Sequence, residues 1–429
     1  MNLEKIINHC HPDRSKIYHE AHVRPFPVLA NQCEILQFTL LHEKMEQGEE
    51  YEHLISLVKL LDGKLVSDSR RAVCFETNEL EIRWQRHVEF SSYFFLKKDC
   101  GRTPFSNNPL DLVPETWLKK IEGILVSSLR VAIQPLTMDP TNTQSIEEIF
   151  GHKELVSCSV KHGNGYIWSD FQLKDDGCEW ILIQNGDLNP WQLGRLAQRV
   201  VELETYRIMA LLVSPLIKDL GKKLDTIDFS LLLVSDHIIR IDSFEDQKLL
   251  LGKLSSLAAD IELLRSTDYR FSASHAYFQL TLERLDEIQD GKIKGYFSFH
   301  GFLSRRILPV MRTADFTKQR ISDISERVSN ARELLQANIN LKIEEQNQTL
   351  LMDMEKRSTL QLQLQEAVEG LSIAAISYYM VSLLKLIFGG LKTAGVPINK
   401  DLATGIAVPI VIFVVWYSIN KIKEHVLKE

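Results

Sequence analysis

The sequence is poor in the features that mark several common classes of protein. Its six cysteines are scattered and form no Cys-x-x-Cys pair, which argues against a disulfide framework or a zinc site and predicts free thiols in a reducing compartment. A formal net charge of −7 at pH 7 gives no reason to expect a nucleic-acid partner. The opening segment MNLEKIINHCHPDRSK has no apolar core, so we expect no cleaved signal peptide.

Motifs that hold phosphates or activate nucleophiles are also missing. The sequence contains neither the glycine patterns of nucleotide-binding loops nor the Gly-x-Ser-x-Gly elbow of hydrolases. The stretch HGNG at residues 162–165 matches none of these patterns and is typical of a hairpin turn. We therefore predict no catalytic residue and no cofactor.

Two long apolar runs lie near the C-terminus. Residues 371–391 carry one charge, Lys385, and residues 402–419 carry none. As helices they would each cover roughly 27–32 Å, about the thickness of the hydrocarbon core of a bilayer. Because residues 392–401 make only a short polar connection, we predict a hairpin of two membrane-spanning helices. The alternative is a buried hairpin in a large soluble core.

The charges around this hairpin predict its orientation. The chain ends are more basic than the loop, which carries two lysines against one aspartate. By the positive-inside rule both termini should be cytoplasmic, which predicts a multi-pass protein of the inner membrane with lipid as a partner. Lys385 would reach the interface by snorkelling or, alternatively, line a pore in an oligomer. The basic residues at the ends are Lys356, Arg357, Lys421, Lys423 and Lys428.

The region before residue 186 mixes strand and helix patterns. Leu80, Ile82 and Trp84 alternate with charged residues, as in a half-buried strand. This mixture predicts an α+β protein with an N-terminal mixed α/β soluble domain. The predicted strands are 33–41, 79–87, 88–96, 124–133, 155–161, 166–173 and 178–184, and the predicted helices are 49–61 and 114–122.

From Asn189 onward the pattern is helical. Asn189 is a predicted N-cap with Pro190 in the first turn, and residues 243–290 and 293–310 also have helical periodicity. We therefore expect a helical middle region between the α/β domain and the apolar runs.

No glycine or proline occurs in residues 310–369, and apolar residues recur there every three or four positions. Gln346 and Arg357 interrupt this heptad seam. It predicts a stalk helix or coiled coil of about 55 residues and roughly 80 Å, and hence a homo-oligomer, unless two helices fold back on each other. The apolar members include Ile321, Ile324, Val328, Ala331, Leu335, Ile339, Ile343, Leu350, Met354, Leu360, Leu364, Val368 and Leu371.

These patterns divide the chain into eight predicted segments. They are an extended arm (1–30), an α/β cytoplasmic domain (31–225), a helical region (226–312), a stalk (313–370), a first span (371–391), an external loop (392–401), a second span (402–419) and a basic cytoplasmic tail (420–429).

The arm contains the segment HEAH at residues 19–22. Its histidines are three apart and Pro25 follows, whereas the zinc-protease motif needs histidines four apart on a helix. We predict a structural docking arm in which Phe26 buries its ring and Arg24 pairs with a carboxylate. The weak candidates for a metal site are His19, Glu20 and His22.

Two charged groups are candidates for binding an anion. The first shares one face of a predicted strand and consists of Arg83, Gln85, His87 and Glu89. Its simpler interpretation is a solvated face with cross-strand pairs. The second, a possible site for an anion or lipid headgroup, consists of Arg305, Arg306 and Arg312. These arginines could equally pair with acidic residues of neighbouring helices.

The chain resembles a bacterial family of predicted membrane-anchored proteins that is defined as a domain of unknown function. The similar segments are HEAHVRPFP (19–27), RWQRHVEFSSY (83–93), LETYRIMALL (203–212), YRFSASHAY (269–277), FLSRRILPVMRT (302–313) and QLQLQEAVEGLSIAAISYY (361–379). They are spread over nearly the whole chain. The resemblance implies a topology and no established activity.

Three functions are compatible with the sequence. The first is a self-associating sensor or scaffold anchored in the membrane. The second is an ion channel or transporter with a layout similar to that of CorA-type magnesium channels, although FGGL at residues 388–391 stands where those channels carry Gly-Met-Asn. The third is a metal-dependent enzyme that uses the HEAH segment.

Overall fold

The computed structural model describes residues 26–42, 47–136, 144–160, 163–240, 243–288, 291–393 and 399–426. The chain forms two compact units, Met1–Ala331 and Arg332–Glu429. A mixed-sheet domain is followed by a helical region, a long helix and a terminal helix, which confirms the predicted fold class.

The described part of the first unit contains one ten-stranded sheet. Its order is β10-β7-β8-β9-β6-β1-β5-β4-β3-β2, with β6–β9 and β10–β7 parallel and the other neighbours antiparallel. The strands are β1 Cys33–Leu41, β2 Lys64–Ser69, β3 Ala72–Glu76, β4 Leu80–Arg86, β5 Phe90–Lys98, β6 Ile124–Pro135, β7 Val156–Val160, β8 Gly165–Leu173, β9 Glu179–Asn185 and β10 Phe297–Ser298.

The helices follow and interleave with these strands. They are α1 Gln47–Leu60, α2 Glu115–Leu118, α3 Gln144–Phe150, α4 Pro190–Leu211, α5 Val213–Arg240, α6 Phe244–Arg265, α7 Asp268–Ile288, α8 Phe299–Thr393 and α9 Lys400–Val426, with a 3₁₀ helix at Pro109–Leu112. Helix α4 begins as predicted, because the Asn189 side chain and Gln192 form a capping box around Pro190.

Both faces of the sheet are covered, and strand alternation decides which residues face which layer. On β1, Ile35 belongs to the core that includes α4, α7 and the start of α8, whereas Leu36 and Phe38 belong to the core beneath α1. Fully burying one such side chain contributes about 1.5–3 kcal/mol. Strands β2 and β3 were not predicted, because β2 is a mostly exposed edge strand without a clear apolar alternation.

The segment just before β1 lies against α4. Pro27 and Leu29 are buried, and the Leu29 amide donates to the Pro190 carbonyl at 3.2 Å. The prediction for Phe26 is wrong, because 43% of that residue is exposed. In an extended segment alternate residues point to opposite sides, so Pro27 and Leu29 face inward and Phe26 faces out. Arg24 lies outside the described residues.

Gly194 makes the close approach of this segment to α4 possible. A Cβ atom at this position would lie 1.7 Å from the carbonyl oxygen of Pro27. We expect Gly194→Ala to lower the free energy of unfolding by about 1–3 kcal/mol, because the segment must move away. Chemical denaturation of the purified protein measures this.

The matched control for this prediction is another helical glycine. A Cβ atom added to Gly221 on α5 would meet no other atom within 4 Å, so Gly221→Ala should be neutral or stabilising by up to about 1 kcal/mol. Equal stability of the two variants would contradict the docking described for Pro27.

The predicted helix over residues 243–290 is in fact two helices, α6 and α7. The break falls at Ser266 and Thr267, whose hydroxyls donate to the carbonyls of Leu263 and Leu264 at 2.6 and 2.7 Å. Such bonds from a side chain to the backbone compete with continuation of the helix. After α7 the chain forms the short strand β10, and α8 begins at Phe299.

Helix α8 is continuous from Phe299 to Thr393, so the alternative of two helices folded back on each other is wrong. One stripe of α8 is buried as far as Leu335, and this stripe contains the first five apolar members of the predicted seam. In the first unit Arg320 donates to Asp225 and Asp228 of α5 at 2.8 and 2.7 Å. Up to Ala331 the seam therefore packs within the first unit.

In the second unit, the end of α8 and helix α9 are long and apolar enough to cross a membrane by length and composition. Their most apolar windows have mean hydropathy of 1.8 and 2.2, and only 6% and 11% of those windows are buried. The alternative of a hairpin buried in a soluble core does not fit this exposure. Ser377, Val411 and Val415 are the buried residues of the two apolar runs within the described part of the chain.

Candidate functional site

A polar cleft with a cavity volume of about 40 Å³ lies between one face of the sheet and helix α4. We call it the polar cleft. The sheet contributes Gln37, Arg83, Gln85, His87 and Ser92. Helix α4 contributes Gln198, Val201, Glu202, Thr205 and Tyr206, and the aromatic side chains of Phe90 and Phe94 complete the lining.

The local sequence explains why these side chains meet. Alternate residues of β4 point the same way, which brings Arg83, Gln85 and His87 to one face as predicted. Gln85 pairs with Ser92 across the β4–β5 ladder, so their side chains are neighbours. Glu89 was expected on this face but does not line the cleft. It accepts a hydrogen bond from Arg270 at 3.0 Å.

The charged groups of the polar cleft are internally paired. Arg83 donates from Nε to Glu81 on the same strand at 2.7 Å. Glu202 accepts from Arg284 at 2.5 Å and from Gln198 at 2.9 Å. Arg83 and Glu202 therefore each have a counterion among the residues that the structure describes.

The amide groups of the cleft retain capacity to bind a ligand. Gln37 donates through Nε2 to Thr205 at 2.9 Å. The side chains of Gln85 and Ser92 form no hydrogen bond with any other residue that the structure describes. An amide and a hydroxyl can each donate and accept, so this pair is suited to a polar ligand.

Glu179 and Glu204 form a buried carboxyl pair on either side of Arg207. Arg207 donates to Glu179 at 2.8 Å and to Glu204 at 2.6 Å, and 5% or less of each carboxyl side chain is exposed. Burial, and then the charge of Glu204, raise the pKa of Glu179 well above its usual value. The pair therefore keeps a proton that an exposed glutamate would lose.

This proton makes stability depend on pH. The folded state binds it more tightly than the unfolded chain, where the pKa of glutamate is about 4.3. The free energy of unfolding should therefore fall as the pH rises from that value toward the raised pKa of Glu179 in the folded state. Urea denaturation from pH 5 to pH 8 tests this, and Glu179→Gln should flatten the profile. An equally steep profile in that variant would contradict the assignment.

A serine–histidine contact lies on the opposite side of the sheet. His42 Nε2 and Ser91 Oγ are 2.9 Å apart, and Glu50 approaches the same nitrogen at 3.9 Å. A catalytic triad needs the carboxylate on the other ring nitrogen and an accessible hydroxyl. Ser91 is fully buried, so this arrangement is structural.

The other predicted site residues are not brought together with the cleft. Arg305, Arg306 and Arg312 are exposed on α8, and Arg306 lies over the ring of Phe302 at 4.3 Å. The expected pairs with acidic residues are not formed with any part of the chain that the structure describes. The candidates His19, Glu20 and His22 lie outside the described residues, within which no group of three metal-ligating side chains is found.

Sequence reasoning missed the half of the cleft on α4. The glutamine and glutamate residues of that helix recur at helical spacing, which by itself is typical of a solvated face. Only the packing of α4 across β1 and β5 turns Gln198 and Glu202 toward the sheet.

Comparison with known families gives a match over nearly the whole chain. A family whose description is "Protein of unknown function (DUF3422)" matches residues 9–426. None of the curated proteins compared with the chain is similar to it.

Proposed function

The chain belongs to the DUF3422 family of proteins of unknown function, and on that premise we propose that it is a membrane-anchored protein that self-associates as a sensor or scaffold. In this proposal the two apolar helices form a hairpin in the inner membrane, with both termini and the sheet domain in the cytoplasm. The observation that carries it is the exposure of two apolar helices of membrane-spanning length in one unit.

Water is a poor solvent for these two helices. The exposed residues of α9 include Ile406, Ile410 and Phe413, and transfer of such side chains out of water contributes about 25 cal/mol per Å² of apolar surface. Trp416 and Tyr417 near the end of the second run would lie toward the membrane surface in a hairpin. Aromatic residues are enriched at such interfaces.

Topology reporters test the anchor. Fusions after Val396 and after Glu429 should report opposite sides of the membrane, with Glu429 cytoplasmic. Deletion of residues 371–429 should move the protein from the membrane fraction to the soluble fraction. The same side for both fusions, or full-length protein that is soluble without detergent, would refute the proposal.

Self-association is supported by the exposed part of the heptad seam. From Ile343 to Leu371 the apolar members of the seam are exposed, including 61% of Leu350 and 60% of Leu360. A second copy of the same helix would bury this stripe in a coiled coil, and the small residues Gly389 and Gly390 allow close approach of helices within the membrane.

We expect the double substitution Leu350→Asp and Leu360→Asp to dissociate the oligomer, because it places two charges in the seam. The control is Gln348→Asp with Ser358→Asp, which adds the same charge about 160° away around the same exposed helix. Size-exclusion chromatography with light scattering in mild detergent measures the mass. A wild-type protein that is monomeric at micromolar concentration would rule out self-association.

The exposed arginines of α8 are proposed contacts for an anion or for lipid headgroups. Arg305 and Arg312 are seven residues apart, so they share one side of the helix. The HEAH segment is proposed to be structural. In elemental analysis of the purified protein, about one zinc or iron per chain that is lost in His19→Ala would contradict that role.

A further inference from the structure

We propose that the polar cleft binds a small, uncharged molecule rich in hydroxyl groups, of the class of monosaccharides and cyclic polyols. This inference rests on the first unit alone, and it would stand if the membrane anchor or the oligomer were disproved.

The charged groups of the cleft favour an uncharged ligand. Arg83 is bound to Glu81, and Glu202 is bound to Arg284 and Gln198. A charged ligand would have to break one of these ion pairs or be held beside both. An uncharged ligand keeps both pairs intact and avoids the cost of desolvating a further charge.

The amide groups of the cleft match the hydrogen-bonding groups of a polyol. Three glutamines line the cleft from opposite walls, Gln37 and Gln85 on the sheet and Gln198 on the helix. Each amide can donate and accept, as can each hydroxyl of a polyol, so the two sets of groups match without any change of protonation. The side chains of Gln85 and Ser92 have no partner among the described residues and are ready for this role.

Stacked aromatic rings form part of the walls of the cleft. The ring of His87 is stacked on Phe90 with centroids 4.3 Å apart, and the ring of Tyr206 is stacked on Tyr277 at 6.1 Å. Rings held in this way give rigid apolar surfaces at the edge of a polar site. Ligand pockets commonly combine such surfaces with a few convergent polar groups.

The size of the cleft limits how much of a ligand it can enclose. The cavity has a volume of about 40 Å³, enough for a few water molecules, so it takes the hydroxyl groups along one edge of a ring while the rest of the ring stays in solvent. Arg83 and Glu202 of the lining are only partly buried, so part of the cleft is open to solvent.

Ligand-observed NMR with full-length protein in mild detergent tests the proposal. The probes are D-glucose, D-ribose, myo-inositol and glycerol, with inorganic phosphate and acetate as charged comparisons. Thermal shifts alone would not suffice, because sugars stabilise many folded proteins by exclusion from their surfaces. We expect saturable binding of at least one uncharged probe, weakened at least tenfold by Gln85→Leu.

Two controls accompany this measurement. Gln172→Leu changes an exposed glutamine on β8, far from the cleft in the strand order, and should leave binding unchanged. Gln85→Leu should retain the unfolding midpoint of the wild type, and Ser92→Ala is a second cleft variant in case it does not. Saturable binding of phosphate or acetate only, binding that neither cleft variant weakens, or no saturable binding of any uncharged probe at millimolar concentration would overturn the proposal.

Discussion

Replacement of Arg207 by methionine should lower the free energy of unfolding by about 3–5 kcal/mol. The substitution keeps most of the side-chain volume but removes the cation between Glu179 and Glu204, whose side chains are 5% and 3% exposed. The two carboxyl groups are then left together in the core without a partner. It also removes the guanidinium that lies over the ring of Phe171 at 5.2 Å.

The decrease in the free energy of unfolding should depend on the carboxyl groups of Glu179 and Glu204 that remain in the core. Adding Glu179→Gln and Glu204→Gln to Arg207→Met should recover part of the stability, because no buried carboxyl group remains to be ionised. Arg265→Met is the control, since Arg265 and Glu262 form an exposed pair at 3.9 Å that contributes about 0–1 kcal/mol. Urea denaturation at pH 7 measures all of these variants. Similar losses in Arg207→Met and Arg265→Met would show that the buried triad has no special energetic role.

The second large effect is expected for Glu50→Ala. Glu50 is 2% exposed and accepts hydrogen bonds from Trp84 at 2.9 Å, from Tyr93 at 3.0 Å and from Arg86. Removing the carboxylate takes one acceptor from each of two buried donors and an anion from the nearly buried Arg86 guanidinium. We expect the free energy of unfolding to fall by about 3–5 kcal/mol, because this breaks a buried ion pair.

The adjacent residue provides the control for this prediction. Glu49 lies in the first turn of α1 and is exposed, so Glu49→Ala should change stability by less than about 1 kcal/mol through the helix dipole alone. Thermal and urea denaturation should both separate the two variants. If Glu50→Ala unfolds like Glu49→Ala, the core beneath α1 does not depend on this carboxylate.

Local periodicity predicted many of the elements correctly. The spacing of Leu80, Ile82 and Trp84 predicted β4, and the same spacing placed Arg83, Gln85 and His87 on one face. These predictions succeed because alternation in a strand depends only on neighbours within a few residues. The absence of glycine and proline from residues 310–369 likewise agreed with the continuous helix α8.

Other features depend on partners that are remote in sequence. The buried stripe of α8 and its exposed continuation have the same apolar spacing, so the sequence could not show that burial extends only to Leu335. Glu50 and Arg86 are 36 residues apart, and Glu34 and Arg130 are 96 residues apart. Charged residues are usually exposed, so nothing in the local pattern marks these as members of buried ion pairs.

The sequence by itself determined the mixture of strands and helices, the long helix and the two apolar runs near the C-terminus, because each of these depends on composition and spacing along a short stretch of chain. Only the tertiary structure decided that α4 covers one face of the sheet at β1, β4 and β5, so that glutamines from the sheet and from the helix line one cleft. It also decided that Glu179 and Glu204 share Arg207 in the core. Both arrangements arise when α4 packs against the sheet. The pattern of residues along one element does not show which other element will cover it.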